Sequence, residues 1–344
     1  MVKDSEHGLE VGLGWAGAMR PGEYGPLAAY AEKAGVDSLI VYSDLMFQPP
    51  LGPLLEMANA TKSVSLTLGC LTPFTVHPVE IAGQLAYLDA ASDGRATLGL
   101  VRGAWLEKLG LDQRRTITAI RETCEIVTRL LSGDRSGFDG KVFTLGEGLG
   151  LQYSPRRTEV PLTIGTWSPK LASLAGELAD EVEVGGTANP DMVEVIRRMT
   201  MVGTEMAGRP SDALEISFNP MLVIDDDGEK AEALARTMGA MYVAVVGAHD
   251  PTVELDPEMV GKMNALIADD DHEGAGRLIS PGLLRKFLIC GTPSDAIDHL
   301  LELEEAGVDR VYLGNPFGLD EDTGLRLLAE KVLPGLRSRG SREA

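Results

Sequence analysis

Residues 63–78, SVSLTLGCLTPFTVHP, hold the arrangement from which chemistry is most readily built. Val64, Leu66, Leu68 and Cys70 alternate with Ser65, Thr67 and Gly69, the period-two pattern of a strand. Leu71-Thr72-Pro73 follows, where proline ends the pairing, and Pro78 opens an apolar helical run, VEIAGQLAYLDAAS. This is an ordinary βα unit, yet in a parallel α/β protein the C-terminal strand ends are also where sites are built. Similar ends occur at Gly14-Trp15, Ser43-Asp44, Arg102-Gly103, Gly165–Trp167, Gly185-Gly186 and Gly314-Asn315. Counting Gly69–Thr72, six of these seven ends carry glycine. Glycine turns a chain, and it also lets backbone approach a flat or phosphorylated ligand closely. A ring of such glycines with few charges and a Thr-Pro loop forms a floor for a planar cofactor.

Other chemistry-bearing residues are sparse. No HExxH, Walker or GxGxxG pattern occurs. Cys70, Cys124 and Cys290 are an odd, scattered set without CxxC spacing, which argues against a disulfide framework or a zinc site and for a reducing compartment. His77 precedes a proline at a helix start, a capping or packing position, and His249 could touch a substrate or cap a helix. Trp15, Trp105 and Trp167 fall at strand ends or just beyond, placed either to sandwich a ring or to seal the top of a barrel.

The chain around these residues has 344 residues, 44% hydrophobic and 24% charged, with a net charge of -21. Such acidity excludes a general electrostatic surface for nucleic acid, but local amides and a few basic side chains can still hold an anionic cofactor. There is no signal-like N-terminus and no run of about 18 apolar residues, so a soluble cytoplasmic protein that does not enter the membrane is expected.

Strand and helix alternate almost throughout. Strands are expected at Leu9–Trp15, Ser38–Ser43, the 63–78 stretch, Arg95–Gly103, Pro161–Thr166, Asp180–Gly186, Leu214–Ile224 and Asp309–Asn315. Helices follow at Tyr24–Ala34, Leu54–Ala60, about Gln113–Leu131, Ser168–Ala179, Met192–Ala207, Gly291–Gly307 and Thr323–Val332. Residues Ser136–Leu151 read as a hairpin, and Gly228–Leu288 as a helical region longer than one crossover needs. Eight strands in this rhythm predict an α/β (β/α)8 TIM barrel with a helical insertion before the last strand, with a doubly wound sheet as the alternative. A single domain over 1–335 is expected, with 336–344 as a disordered tail.

Five segments together, VYSDL, TLGCLTPFTVHPVEIA, ATLGLVRGAWLEKLGL, TIGTWSPKLASLAGELADEV and GVDRVYLGNPFGLD, resemble the bacterial-luciferase-like flavin and deazaflavin oxidoreductases. The branch they look most like is that of the F420-dependent methylenetetrahydromethanopterin reductases. The resemblance runs from about residue 9 to 335 with the motifs in order, and HPxxxA after the third strand and GxP[FL]GxD ending the eighth are its more specific pieces. It implies a homodimeric TIM barrel holding an isoalloxazine-like ring at its C-terminal face.

By position, the resemblance makes Asp44 the aspartate beside the ring. Gly69 and Cys70 become the pair whose non-prolyl cis peptide presses a bulge against the ring. It places Thr72 near the cofactor's side chain, Arg102 and Gly103 where the fourth strand approaches it, and Thr166, Trp167, Ser168 and Lys170 in the phosphate-binding turn. Ser168 can cap a helix whose free amides face an anion; Lys170 either adds charge there or is a solvated first-turn lysine. Three positions depart from the pattern: Leu45 replaces a frequent histidine, and Gly14 and Ala104 each stand where relatives carry a glutamate. Glu107, one helical turn from Ala104, either substitutes as a catalytic group or is a surface residue.

The expected function is therefore an F420-dependent oxidoreductase moving hydride between the deazaflavin and a small organic substrate, such as a methylene-tetrahydropterin or folate. An FMN-dependent luciferase-type monooxygenase and a cofactor-free or nicotinamide-using barrel are the alternatives.

Overall fold

The structure is a computed structural model that describes residues 8–210 and 212–343, with side chains described through residue 339. The strands are β1 (Glu10–Ala16), β2 (Ser38–Tyr42), β3 (Ser65–Leu71), β4 (Ala96–Val101), β5 (Phe138–Asp139), β6 (Thr144–Leu145), β7 (Leu162–Gly165), β8 (Glu181–Gly185), β9 (Glu215–Asn219), β10 (Met221–Ile224), β11 (Leu288–Gly291) and β12 (Arg310–Gly318). The helices are α1 (Tyr24–Ala34), α2 (Leu51–Ala60), α3 (Pro78–Ala91), α4 (Thr116–Ser132), α5 (Pro169–Leu178), α6 (Met192–Met206), α7 (Gly228–Val246), α8 (Pro257–Ala268), α9 (His272–Gly276), α10 (Pro281–Arg285), α11 (Pro293–Ala306), α12 (Glu321–Leu327) and α13 (Leu333–Glu343).

Strands in a sheet covered on both faces must be apolar along their length, and Ser38 to Val41 of β2 are all buried. The strand order β1-β2-β3-β4-β7-β8-β9-β12, with β12 returning to β1, closes the eight-stranded parallel TIM barrel that the rhythm predicts. β5 and β6 form the separate antiparallel hairpin.

Two expectations are corrected at the seventh strand. Leu214–Ile224 is not continuous: Pro220, which has no N–H to donate, separates β9 from β10. β9 pairs with Arg310 and Val311 of β12, whereas β10 pairs with Gly314, Phe317 and Gly318 further along it. The other edge of β10 takes β11, a strand not expected, which begins at Leu288 where the expected helical stretch ends. At the C-terminus α13 covers Leu333–Glu343, and Leu333 and Leu336 in its first turns are buried.

The chain separates into two compact units, one of residues 14–183 and 198–215, the other of residues 8–13, 184–197 and 216–343. In the second, α7 to α10 follow β10 and share a core with it in which Val223, Ala231, Ala235, Val243, Met263, Phe287 and Leu288 are fully buried. Its α11 starts with a capping box, Thr292 and Asp295 bonding each other's backbone N–H. The strand-end residues at Asp44, Gly69–Thr72, Arg102-Gly103 and Thr166–Lys170 all belong to the first unit. No helix of the described residues is long and apolar enough to cross a membrane.

Candidate active site

The site is organised by a bulge in β3. Leu68 pairs with Leu98 of β4, but the next matched pair is Leu71 with Leu100, so β3 holds one residue more than its partner. The extra length falls at Gly69-Cys70, whose peptide bond is cis, as the resemblance implied. Only glycine fits on either side of this bulge. A Cβ on Gly69 would lie 2.7 Å from the Gly99 carbonyl oxygen, and a Cβ on Gly99 would lie 2.8 Å from the Cys70 sulfur. Gly69 and Gly99 thus clear space for a bulge of this chain's own backbone, a more specific role than turning it.

Cys70 points from the bulge to a carboxylate that sequence reasoning missed. Its Sγ donates to Glu183 Oε2 at 3.3 Å, and Glu183, on β8, is only 6% exposed. Burial pushes the Cys70 thiol well above its ordinary range, and the charge of Glu183 pushes it further, so the sulfur stays protonated and acts as a donor. Deeper in the same strand, Glu181 accepts from the Thr163 hydroxyl at 3.3 Å. A signal for both was available: in DEVEVGG, glutamates alternate with valines along a strand that must be buried on both faces.

Asp44 lies just past β2, in the turn in which the Phe47 N–H donates to its carbonyl. Its side chain is exposed, with protein atoms near enough to desolvate the carboxyl in part. That desolvation raises its carboxyl above the ordinary aspartate value. Tyr42, two residues earlier, was also missed. A side chain at position 14 would overlap its hydroxyl, so the phenol of β2 fills the space above Gly14 of β1.

Thr72 does not present a free hydroxyl. It is buried and donates to the Arg102 carbonyl at 2.6 Å, tying the loop after β3 to the end of β4. Gly103 adopts φ +92°, and an added Cβ would meet Leu106 at 2.9 Å, so glycine is required where this loop turns back. Arg102 is exposed, and Glu107 is exposed on a short 3-10 helix, Leu106–Leu109. At the end of β7, the Thr166 N–H donates to the Glu183 carbonyl at 2.9 Å and the Thr166 hydroxyl accepts the Ser168 N–H at 2.8 Å. Ser168 occupies the N-cap of α5, but its side chain makes no capping bond, contrary to the role expected of it. The first turn of α5 thus receives no cap from Ser168, and it carries exposed Lys170.

The three tryptophans are not equivalent: Trp15 is 2% exposed and part of the core, whereas Trp105 is 44% exposed with a left-handed backbone, and Trp167 is half-buried. His77 caps α3, its Nδ1 accepting the Val79 N–H at 3.3 Å. His249 is exposed at the end of a 3-10 turn following α7. A cleft of about 750 Å³ lies apart from the strand-end residues, against α4 and the β5–β6 hairpin, and none of them lines it.

Comparison with known proteins fits this geometry. The profile of the luciferase-like monooxygenase family matches residues 7–310. The 5,10-methylenetetrahydromethanopterin reductase of Archaeoglobus fulgidus is 27% identical over 314 residues, covering 89% of this chain and 93% of that protein. The enzyme of the same name from Methanopyrus kandleri is 30% identical over 303 residues, 83% of this chain and 86% of that protein. The solved structure of the coenzyme F420-dependent tetrahydromethanopterin reductase from Methanopyrus kandleri superposes with a TM-score of 0.87 at 26% identity, covering 96% of this chain and all of that one.

Proposed function

The chain belongs to the luciferase-like monooxygenase family, and within it we propose an F420-dependent oxidoreductase that moves a hydride between the deazaflavin and a carbon of a small organic substrate. A methylene-tetrahydropterin is the substrate class its reductase relatives name. The observation that carries this reading is similarity to F420-dependent reductases over nearly the whole chain, together with a bulge at Gly69-Cys70 that suits the back of a flat ring.

The deazaflavin, when bound, supplies the hydride chemistry; the chain's task is to orient the ring and the reacting carbon and to exclude water. In this reading Gly69 and Cys70 back the ring and Asp44 faces it. Thr72 and Gly103 shape the wall, while Arg102, Trp167, Lys170 and the α5 amides with Thr166 and Ser168 receive the anionic side chain. Glu107 is the candidate proton-transfer group on the loop after β4. The free cysteines fit a cytoplasmic protein, and the family likeness favours a homodimer, which sedimentation at micromolar concentration would test.

Titration of the purified chain with F420, FMN, NADH and NADPH, followed by fluorescence, tests the cofactor directly. F420 should bind more tightly than FMN. Lys170→Glu should weaken F420 binding about threefold, more at low ionic strength. FMN binding at least as tight as F420 would favour a monooxygenase, and binding of a nicotinamide alone would sink both flavin-type readings.

A further inference from the structure

Two loops at the C-terminal strand ends hold bulky apolar residues in a backbone conformation that such residues seldom adopt. Among the described residues, positive φ outside glycine occurs at Met46 (71°), Asp93, Trp105 (54°), Asp270 and Phe317. Aspartate is tolerated there, whereas a bulky side chain is strained and persists only where its surroundings hold it. Phe317 is fully buried, but Met46 is 89% exposed, Phe47 beside it 46% and Trp105 44%.

Neither loop is slack. After β2, the Phe47 N–H donates to the Asp44 carbonyl at 3.3 Å and the Gln48 N–H to the Gly17 carbonyl at 2.8 Å. The Gln48 side chain donates to the Met19 carbonyl at 2.7 Å and accepts the Tyr24 hydroxyl at 2.8 Å. The chain is thus pinned at Asp44 and Gln48, which holds Met46 and Phe47 out at the tip. After β4, Leu106 is buried close against Gly103 while its neighbour Trp105 stays out. The Thr72 hydroxyl on the Arg102 carbonyl ties this loop to the end of β3. β3 lies between β2 and β4, with Val41 level with Leu68 and Leu100 level with Leu71. Met46 and Trp105 each come five residues after those levels, so the two tips flank the end of the bulged strand.

We propose that Trp105 and the Met46-Phe47 tip are specificity residues that grip the flat ring system of the organic substrate from either side of the β3 end, selecting a substrate with a two-ring heterocyclic head over a small polar one. This rests on the F420 reading above and adds to it the surface that reads the substrate. β2 and β4 stand about 10 Å apart across β3, a span that a two-ring heterocycle bridges. Tryptophan offers a broad face for stacking, and methionine a polarisable side chain that adapts to a ring. Large apolar side chains exposed beside a site mark a surface that a ligand covers, and Asp44, in the loop of Met46 and Phe47, ties this one to the candidate site.

The test uses the full chain saturated with F420 and reads binding of 5-methyltetrahydrofolate, a two-ring pterin probe, by calorimetry. Trp105→Ala should weaken the probe about tenfold, and Trp105→Phe, which keeps an aromatic face, at most about threefold. Met46→Gly keeps the left-handed turn without its strain, so the thermal midpoint should hold or rise while the probe weakens about threefold. Oxidised F420 should bind all three variants within about twofold of wild type, and Tyr87→Ser, at an exposed position on α3, should leave probe binding unchanged. If wild type binds F420 and the probe, and Trp105→Ala and Met46→Gly bind the probe like it, the assignment is overturned while the F420 reading stands. The assignment is equally overturned if wild type binds F420 but not the probe, or if the variants change only self-association in sedimentation. If wild type fails to bind F420, both fall.

Discussion

The two ends of β3 and β4 handle polar groups in opposite ways. At the N-terminal end, Arg95, Arg157 and Glu32 are each held by several partners. Arg95, just before β4, donates through its guanidinium to the carbonyls of Ser92, Val64, Ala58 and Thr61 and to the Thr61 hydroxyl. Arg157 forks onto the buried Asp89 carboxylate at 3.0 and 3.2 Å and reaches the Ala96 carbonyl. Glu32 gathers the backbone N–H groups of Lys62, Ser63 and Val64. At the C-terminal end, glycines clear the backbone, a protonated thiol rests on a buried carboxylate, and Asp44 stays desolvated with its pKa raised. One end joins loop to loop and fixes the fold; the other carries a desolvated aspartate and a thiol–carboxylate pair at the strand ends where barrels build their sites.

The contrast is broken most sharply at Asp44. Asp44→Asn should lower F420-linked turnover by about two to three orders of magnitude. Its stability should hold or rise at neutral pH, because an acid whose folded pKa is raised destabilises the native state once the unfolded chain ionises. A variant that loses turnover in proportion to lost stability would make Asp44 structural. The mirror experiment is Arg95→Ala, which strands several buried acceptors and should destabilise by about 3 kcal/mol in urea unfolding. Turnover per folded molecule should survive, and a selective loss of F420 affinity would erase the division between the ends.

Gly99→Ala sharpens the comparison on the site side. The added methyl would press on the Cys70 sulfur at 2.8 Å, costing about 1–2 kcal/mol and weakening F420 binding about tenfold. Wild-type affinity in this variant would mean that the bulge does not back the ring. The smallest effect belongs to Glu32, whose carboxyl is lowered to about 2 by the amides it accepts from. A depressed folded pKa stabilises above the unfolded value of 4.5 and loses that contribution as pH falls toward about 2. Discounted for solvent screening, Glu32→Gln should cost about 1 kcal/mol at pH 7 and progressively less as pH falls toward and through about 2, read as urea midpoints across that range.

Much of the fold was legible because its signals are local. Alternation along 63–78, the proline and glycine punctuation, and the mostly apolar β2 each depend on residues near in sequence. The failures share one physical cause. Pro220 splits the seventh strand, but that β10 then leaves for the far part of β12 is decided by which edge is available to pair. The residues from 336 on read as a polar tail, and Leu336 in the first turns of α13 is nevertheless buried, a seat that composition does not announce. Ser168 sits at the N-cap, as its type suggests, but the Thr166 hydroxyl takes its N–H and its own side chain makes no cap.

By itself the sequence determined the order of the main barrel strands and helices, the glycine-rich strand ends and the placing of Asp44, Gly69-Cys70 and the Thr166–Lys170 turn at those ends. Periodicity and backbone chemistry act over a few residues and leave their mark in composition. Only the tertiary structure decided that Cys70 meets Glu183, 113 residues away, and that Tyr42 fills the room above Gly14. A hydrogen bond between strands, or a hydroxyl in another residue's missing volume, has no local energetic signature. Such contacts exist only once the closed barrel has fixed which strands are neighbours and which of their residues share a level.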